Sequence, residues 1–183
     1  MEVLVVAAIT IIVTGGVWSF LRSMTHAAAI SKAKGEAKAM ADLVLRAIEK
    51  DITDMAASVT IELNNRTKVV TQFAGSGGTW TMLVGEKGRY TKVDYLFDPA
   101  AKTVTRTADG KSRVLADKVL DLTISPYDAD QIKFLVDIQV GIVPPGMKEP
   151  QIHHQKLVAT VRAAVSANMD PKWRTSEDAK TTF

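Results

Sequence analysis

The chain has 183 residues, enough for one membrane helix and one soluble domain of ordinary size. Its net charge is only +3 and its basic residues are scattered, so no cluster is available to follow a phosphate backbone, and nucleic acid is excluded as a main partner. It has no cysteine, which excludes disulfides and thiol chemistry.

From Val3 to Leu21 the chain reads VLVVAAITIIVTGGVWSFL, without a charge and with Thr10, Thr14 and Ser19 as its polar side chains. Nineteen residues at ~1.5 Å rise reach roughly 28 Å, about the hydrocarbon thickness of a bilayer. A cleaved secretory signal needs basic residues before a shorter apolar core, whereas here Arg22 ends the run. A core helix of a soluble domain is a poor match to so long an uncharged stretch. A retained single-pass helix is the reading that fits. The following positive charges, Arg22, Lys32, Lys34 and Lys38, would by the positive-inside rule leave the body of the protein in the cytoplasm.

Two features inside this segment have alternative readings. Gly15-Gly16 either lets a neighbouring helix approach closely or marks a place of helix flexibility, where the chain can unwind. Glu2 either caps the helix at the membrane interface or serves as a counter-charge for an α-amino group, its own or that of an adjacent copy.

Past Arg22 the composition becomes amphipathic. Ile30, Ala33, Ala37, Ala41, Val44, Ile48, Ile52 and Met55 recur at steps of three and four, on one face of a helix. Charged residues, Asp51 among them, fill the intervals. No proline precedes Pro99, so the spacing predicts one continuous helix of about 50 residues, with Gly35 as a local weakness.

After Ala57 the period changes to two. Strands are predicted over 59–63, 69–73, 80–84, 90–97, 103–106, 113–115, 119–124, 132–140 and 156–165. The separators are turn formers, with Asp109-Gly110 the clearest hairpin. Short turns imply antiparallel pairing, and the alternation in Val119–Ile124 implies a sheet with one wet face. Packing the apolar stripe of the helix across the dry face satisfies both elements. The predicted class is α+β. A transmembrane helix over 1–24 continues as an amphipathic helix over 25–57. An antiparallel β domain over 58–167 and a polar tail over 168–183 follow. In that tail Trp173 either folds back onto the domain or touches a neighbouring subunit.

Constellations for catalysis are absent from the sequence. His26 lies on the helix, and His153-His154 follows Pro150 ahead of the last strand. Adjacent residues of an extended chain point to opposite faces, so this pair cannot readily share a metal. Asp128 and Asp130 read as turn formers, since calcium needs six or more oxygens. No nucleophile elbow, phosphate loop or dinucleotide fingerprint occurs. The expectation is a non-enzyme with no cofactor and no metal.

The segment Met1-Glu2-Val3-Leu4-Val5-Val6-Ala7-Ala8-Ile9 resembles the N-terminus of type IV pilins and type II secretion pseudopilins. Glu2 falls on the family's glutamate and Met1 on the variable position before it. The stretch Leu45-Arg46-Ala47-Ile48-Glu49-Lys50-Asp51-Ile52 is similar to the helix end of J-type minor pseudopilins. Tyr95-Leu96-Phe97-Asp98 and Thr103-Val104-Thr105-Arg106 have the cadence of their sheet region. The resemblance implies a pilin-like fold and a structural subunit that primes or tips a pseudopilus or pilus. It implies other pilins as partners through the N-terminal helix, inner-membrane lipid before assembly, and a prepilin peptidase acting on a leader. Glu2 would then pair with the N-terminal amine of a neighbour. The family's basic leader, its Gly and its Phe-Thr-Leu do not precede Met1 here. The expectation is that in-frame codons upstream encode a Lys/Arg-containing leader, Gly and an aromatic or Met residue, the alternatives being a trimmed chain or one that is never processed; such a leader would reverse the orientation and place the β domain outside the bacterial inner membrane. The alternative is a single-pass anchored β domain that binds a partner or ligand without forming a fibre.

Overall fold

The computed structural model of the chain describes residues 2–61, 67–86, 89–127 and 132–162. Asp128, Asp130, Trp173 and the tail over 168–183 lie outside the described residues. The class is α+β, with one long N-terminal helix packed on antiparallel sheets.

Helix α1 spans Glu2–Thr53 without interruption. It ends four residues before the expected boundary because the chain is captured there by a strand. Asp54 N–H still donates to Lys50 O, but Met55 N–H already bonds Ile52 O in a tightened turn. Met55 then bridges Val84, and Ala56 N–H donates to Leu83 O at 2.7 Å.

Among the described residues ten strands follow: β1 (Ala57–Ile61), β2 (Thr67–Thr71), β3 (Phe73–Ser76), β4 (Thr79–Glu86), β5 (Arg89–Asp98), β6 (Thr103–Ala108), β7 (Lys111–Ala116), β8 (Val119–Pro126), β9 (Lys133–Ile142) and β10 (Gln151–Thr160). All pairings are antiparallel. They form three sheets: β1-β2, β3-β4-β5-β6-β7 and β10-β9-β8. The expected strand over 69–73 is in fact two, because the chain changes partner at Gln72. Gln72 N–H bonds Ala56 O, and Gln72 O accepts from Leu83 N–H, so β2 stays with β1 while β3 joins β4. The last strand starts five residues earlier than expected, since the polar run Gln151–Gln155 pairs with Ile142–Ile138. His153 and His154 are therefore inside a strand and do not precede one. The Asp109-Gly110 turn joins β6 and β7 with φ of 52° and 73°, the left-handed pair that a two-residue hairpin requires.

The core lies where the second half of α1 meets both large sheets. Ala33, Ala37, Ala41, Val44, Ile48, Ile52 and Met55 are buried, and Ile30 is half-buried at the upper edge. Leu45 joins them. Each fully buried Val or Ile in this stripe contributes about 1.5–3 kcal/mol. Against the stripe lie Phe134, Val136, Ile138 and Val140 of β9, and Met82, Val93, Tyr95 and Val104 of the five-stranded sheet. The two sheets also meet directly, with the rings of Phe73 and Phe134 tilted 54° at 4.7 Å. A helix face of alanines brings its axis close to the sheet, which is why Ala33, Ala37 and Ala41 occupy the first three turns of contact.

Candidate functional site

The first half of α1 packs against no other element among the described residues. Every residue from Val3 to Ala28 is exposed, and the apolar side chains are exposed on all faces: Leu4 at 74%, Ile12 at 72%, Trp18 at 72%. These 26 residues extend roughly 39 Å beyond the domain, more than the ~30 Å of a hydrocarbon core. The helix is long and apolar enough to cross a membrane, and its apolar window has no burial inside the chain. Among its polar groups, the Thr10 hydroxyl donates to Val6 O at 2.8 Å, and just past the run the Thr25 hydroxyl donates to Arg22 O at 2.9 Å. A hydroxyl satisfied by its own helix is compatible with lipid, where water is unavailable to it.

The site residues named from the sequence fall on this projecting segment. Glu2 is the first residue of the helix, where the dipole favours an acid. Gly15 and Gly16 lie mid-segment, the helix runs through them unbroken, and a Cβ on either would meet no atom within 4 Å. Their surface is available to something outside the chain. His26 lies on the exposed part of the helix, remote from the other histidines. His153 is half-buried with Nε2 3.1 Å from Gln155 Oε1, whereas His154 is exposed with Nε2 2.6 Å from Asp137 Oδ1. The pair thus divides between two faces. Burial would push the Asp137 carboxyl up, but hydrogen bonds from Lys156 and His154 and their charges hold it below the ordinary carboxylate range. Among the described residues, no group of three His, Asp or Glu could hold a metal ion.

A polar site that sequence reasoning missed lies at the opposite end of the helix. Asp51 was grouped with the solvent-facing charges, yet it is buried at 4% exposure. Its Oδ2 accepts from the Tyr95 hydroxyl at 2.5 Å and from Arg106 Nε at 2.7 Å, and its Oδ1 accepts from Arg106 Nη2 at 3.0 Å. The bidentate fork satisfies both carboxylate oxygens, which is what a buried charge requires. Burial, then the adjacent Asp51 charge, pushes the Tyr95 hydroxyl well above its ordinary range. The hydrogen bond to Asp51 holds Arg106 still more firmly protonated. The signal for Asp51 was present in its spacing: it follows Ile48 by three and Val44 by seven, which places it on the apolar stripe. The triad pins the helix end to β5 and β6.

Comparison of the chain with protein-family models, curated proteins and solved structures finds no match.

Proposed function

We propose that the chain is a minor pilin or pseudopilin: a non-catalytic subunit held in the inner membrane by the first half of α1, with its β domain on the extracytoplasmic side, and then withdrawn into a fibre. The observation that carries this reading is the two-part character of one unbroken helix. Its second half is fixed in a domain by an alanine-rich stripe, and its first half presents apolar side chains to all sides with no covering element among the described residues. Lipid satisfies that surface before assembly, and the helices of neighbouring subunits satisfy it afterwards. In this reading Glu2 pairs with the N-terminal amine of a neighbour, and Gly15-Gly16 adapts the helix to its neighbours by close packing or local unwinding.

The absence of native cysteine makes the test direct, because one introduced thiol is the sole attachment point for a maleimide carrying a benzophenone, which on irradiation inserts into a C–H bond of whichever neighbour it touches. In cells of the source organism, irradiation of the benzophenone-labelled Val13→Cys protein is expected to give a ladder of the chain joined to neighbouring fibre subunits. Adding Glu2→Ala is expected to abolish the ladder while leaving the protein in the membrane fraction. A ladder that survives Glu2→Ala refutes the role of Glu2. No ladder with either protein refutes assembly and leaves an anchored β domain.

A further inference from the structure

The helix covers only part of the inner face of the five-stranded sheet. Next to the Asp51–Tyr95–Arg106 triad that face opens into a cleft of about 680 Å3, within the ordinary size of a ligand site. One wall is the end of α1, at Lys50 and Asp54. The second is the β4–β5 hairpin, at Val84 and Gly85. The third is the β6–β7 hairpin, at Arg106, Lys111 and Arg113. The walls are tied together by backbone. Gly85 N–H donates to Asp54 O at 2.9 Å, and Arg106 reaches across to Asp51. The cleft is thus held open by the same contacts that end the helix.

Its lining carries five cations, Lys50, Arg89, Arg106, Lys111 and Arg113, against three acids, Asp51, Asp54 and Asp109. Arg106 stands directly opposite Arg113 in the β6–β7 ladder, an arrangement in which like charges repel. Asp51 neutralises Arg106, and Asp54 is within 3.6 Å of Arg162. Among the described residues Arg113, Lys111 and Lys50 have no ion-pair partner. Between these cations the lining is apolar, with Val93, Ala108 and Leu115 beside Val84. A compact inorganic anion would leave that apolar surface wet, whereas a peptide segment that presents acidic and apolar side chains on the same face covers both.

We propose that this cleft is a docking site for an acidic, partly apolar segment of a partner protein. Its carboxylates engage Arg113, Lys111 and Lys50, and its apolar side chains rest on Val84, Val93 and Leu115. The proposal is independent of fibre formation, since the cleft lies at the far end of α1 from the membrane segment.

The test uses the full chain in detergent and an acetylated hexapeptide, Glu-Asp-Val-Asp-Leu-Val, which carries acidic and apolar side chains on each face, with a version carrying Lys at the acidic positions as control. The acidic peptide is expected to bind at least about tenfold more tightly than the basic one, and to slow amide exchange over residues 82–86 and 106–115. The double variant Lys111→Glu/Arg113→Glu, at two exposed positions, is expected to weaken the acidic peptide by about tenfold or more and to favour the basic one. Equal binding of both peptides, unchanged affinity in the double variant, or protection elsewhere overturns the proposal. Competition by inorganic phosphate at concentrations equal to the peptide also overturns it, by showing a small-anion site.

Discussion

Arg106→Met removes the guanidinium fork from Asp51 and leaves a carboxylate that is 5% exposed with the Tyr95 hydroxyl as its remaining side-chain donor. Breaking a fully buried ion pair by deleting one partner costs about 3–5 kcal/mol. Arg106 is itself 31% exposed, so water reaches the vacated space, and about 2–4 kcal/mol is the appropriate range. For a chain of this size that corresponds to a melting temperature lower by roughly 5–15 °C. Unfolding of the full chain in detergent, followed by near-ultraviolet circular dichroism, measures it. The double variant Asp51→Asn/Arg106→Met has no charge to strand, and is expected to be no less stable than Arg106→Met alone. This non-additivity separates a stranded charge from lost packing. If Arg106→Met unfolds within about 0.5 kcal/mol of the parent, or if the two substitutions simply add, the triad does not clamp the helix end.

Tyr95 gives the triad an alkaline signature. Its hydroxyl keeps its proton in the fold, while the unfolded chain releases it from about pH 10, so this contribution is intact below pH 10 and lost as pH rises beyond it, at up to ~1.4 kcal/mol per pH unit. Tyr95→Phe is expected to flatten that limb in a series of unfolding curves between pH 9 and 11, and an unchanged limb refutes the assignment. At Asp94, the Thr81 hydroxyl at 2.6 Å is the main cause of a lowered carboxyl pKa, with Lys92 at 3.0 Å assisting. Thr81→Val should raise the Asp94 titration midpoint by carboxylate NMR, and a midpoint that does not move removes Thr81 from the account. Gly85 has φ of 131°, and a Cβ there would sit 2.3 Å from Arg89 O. Gly85→Ala is therefore expected to cost about 1–3 kcal/mol by denaturant unfolding, and a neutral result shows that the β4–β5 turn can relax.

The sequence made the helix legible because each half has an unambiguous pattern. Nineteen uncharged residues need no periodicity to be read, and the stripe from Ala33 to Met55 repeats at steps that only a helix brings to one face. The β6–β7 turn was legible because Asp-Gly has one dominant local use. What was not legible depends on distant partners. Nothing local in Val70-Thr71-Gln72-Phe73 says that Gln72 is where the chain leaves one sheet for another, because that choice is made by Ala56 and Leu83. The polar start of β10 looked like a loop because its wet-face residues conceal a full ladder to β9. Asp51 was misplaced because a charge on an apolar stripe is assigned to solvent unless its partners are known. Tyr95 and Arg106 are 44 and 55 residues away. The projecting half of α1, Gly15 and Gly16 included, was readable as a surface, since among the described residues no element packs on it.

An unbroken helix also fixes an angle. Each residue of α1 turns the chain by about 100° and advances it by about 1.5 Å, and the domain is clamped to the second half by its stripe and by Asp51. The compass direction that the β domain faces is therefore set by the direction in which the apolar segment is seated. Inserting one alanine between Ala27 and Ala28, where no described residue packs on the helix, would swing the whole domain by about 100° with almost no change in height. Inserting four would bring it to within about 40° of its original bearing while raising it by about 6 Å. Azimuth and height thus become separable variables, and the linker-free helix works as the shaft that transmits one to the other.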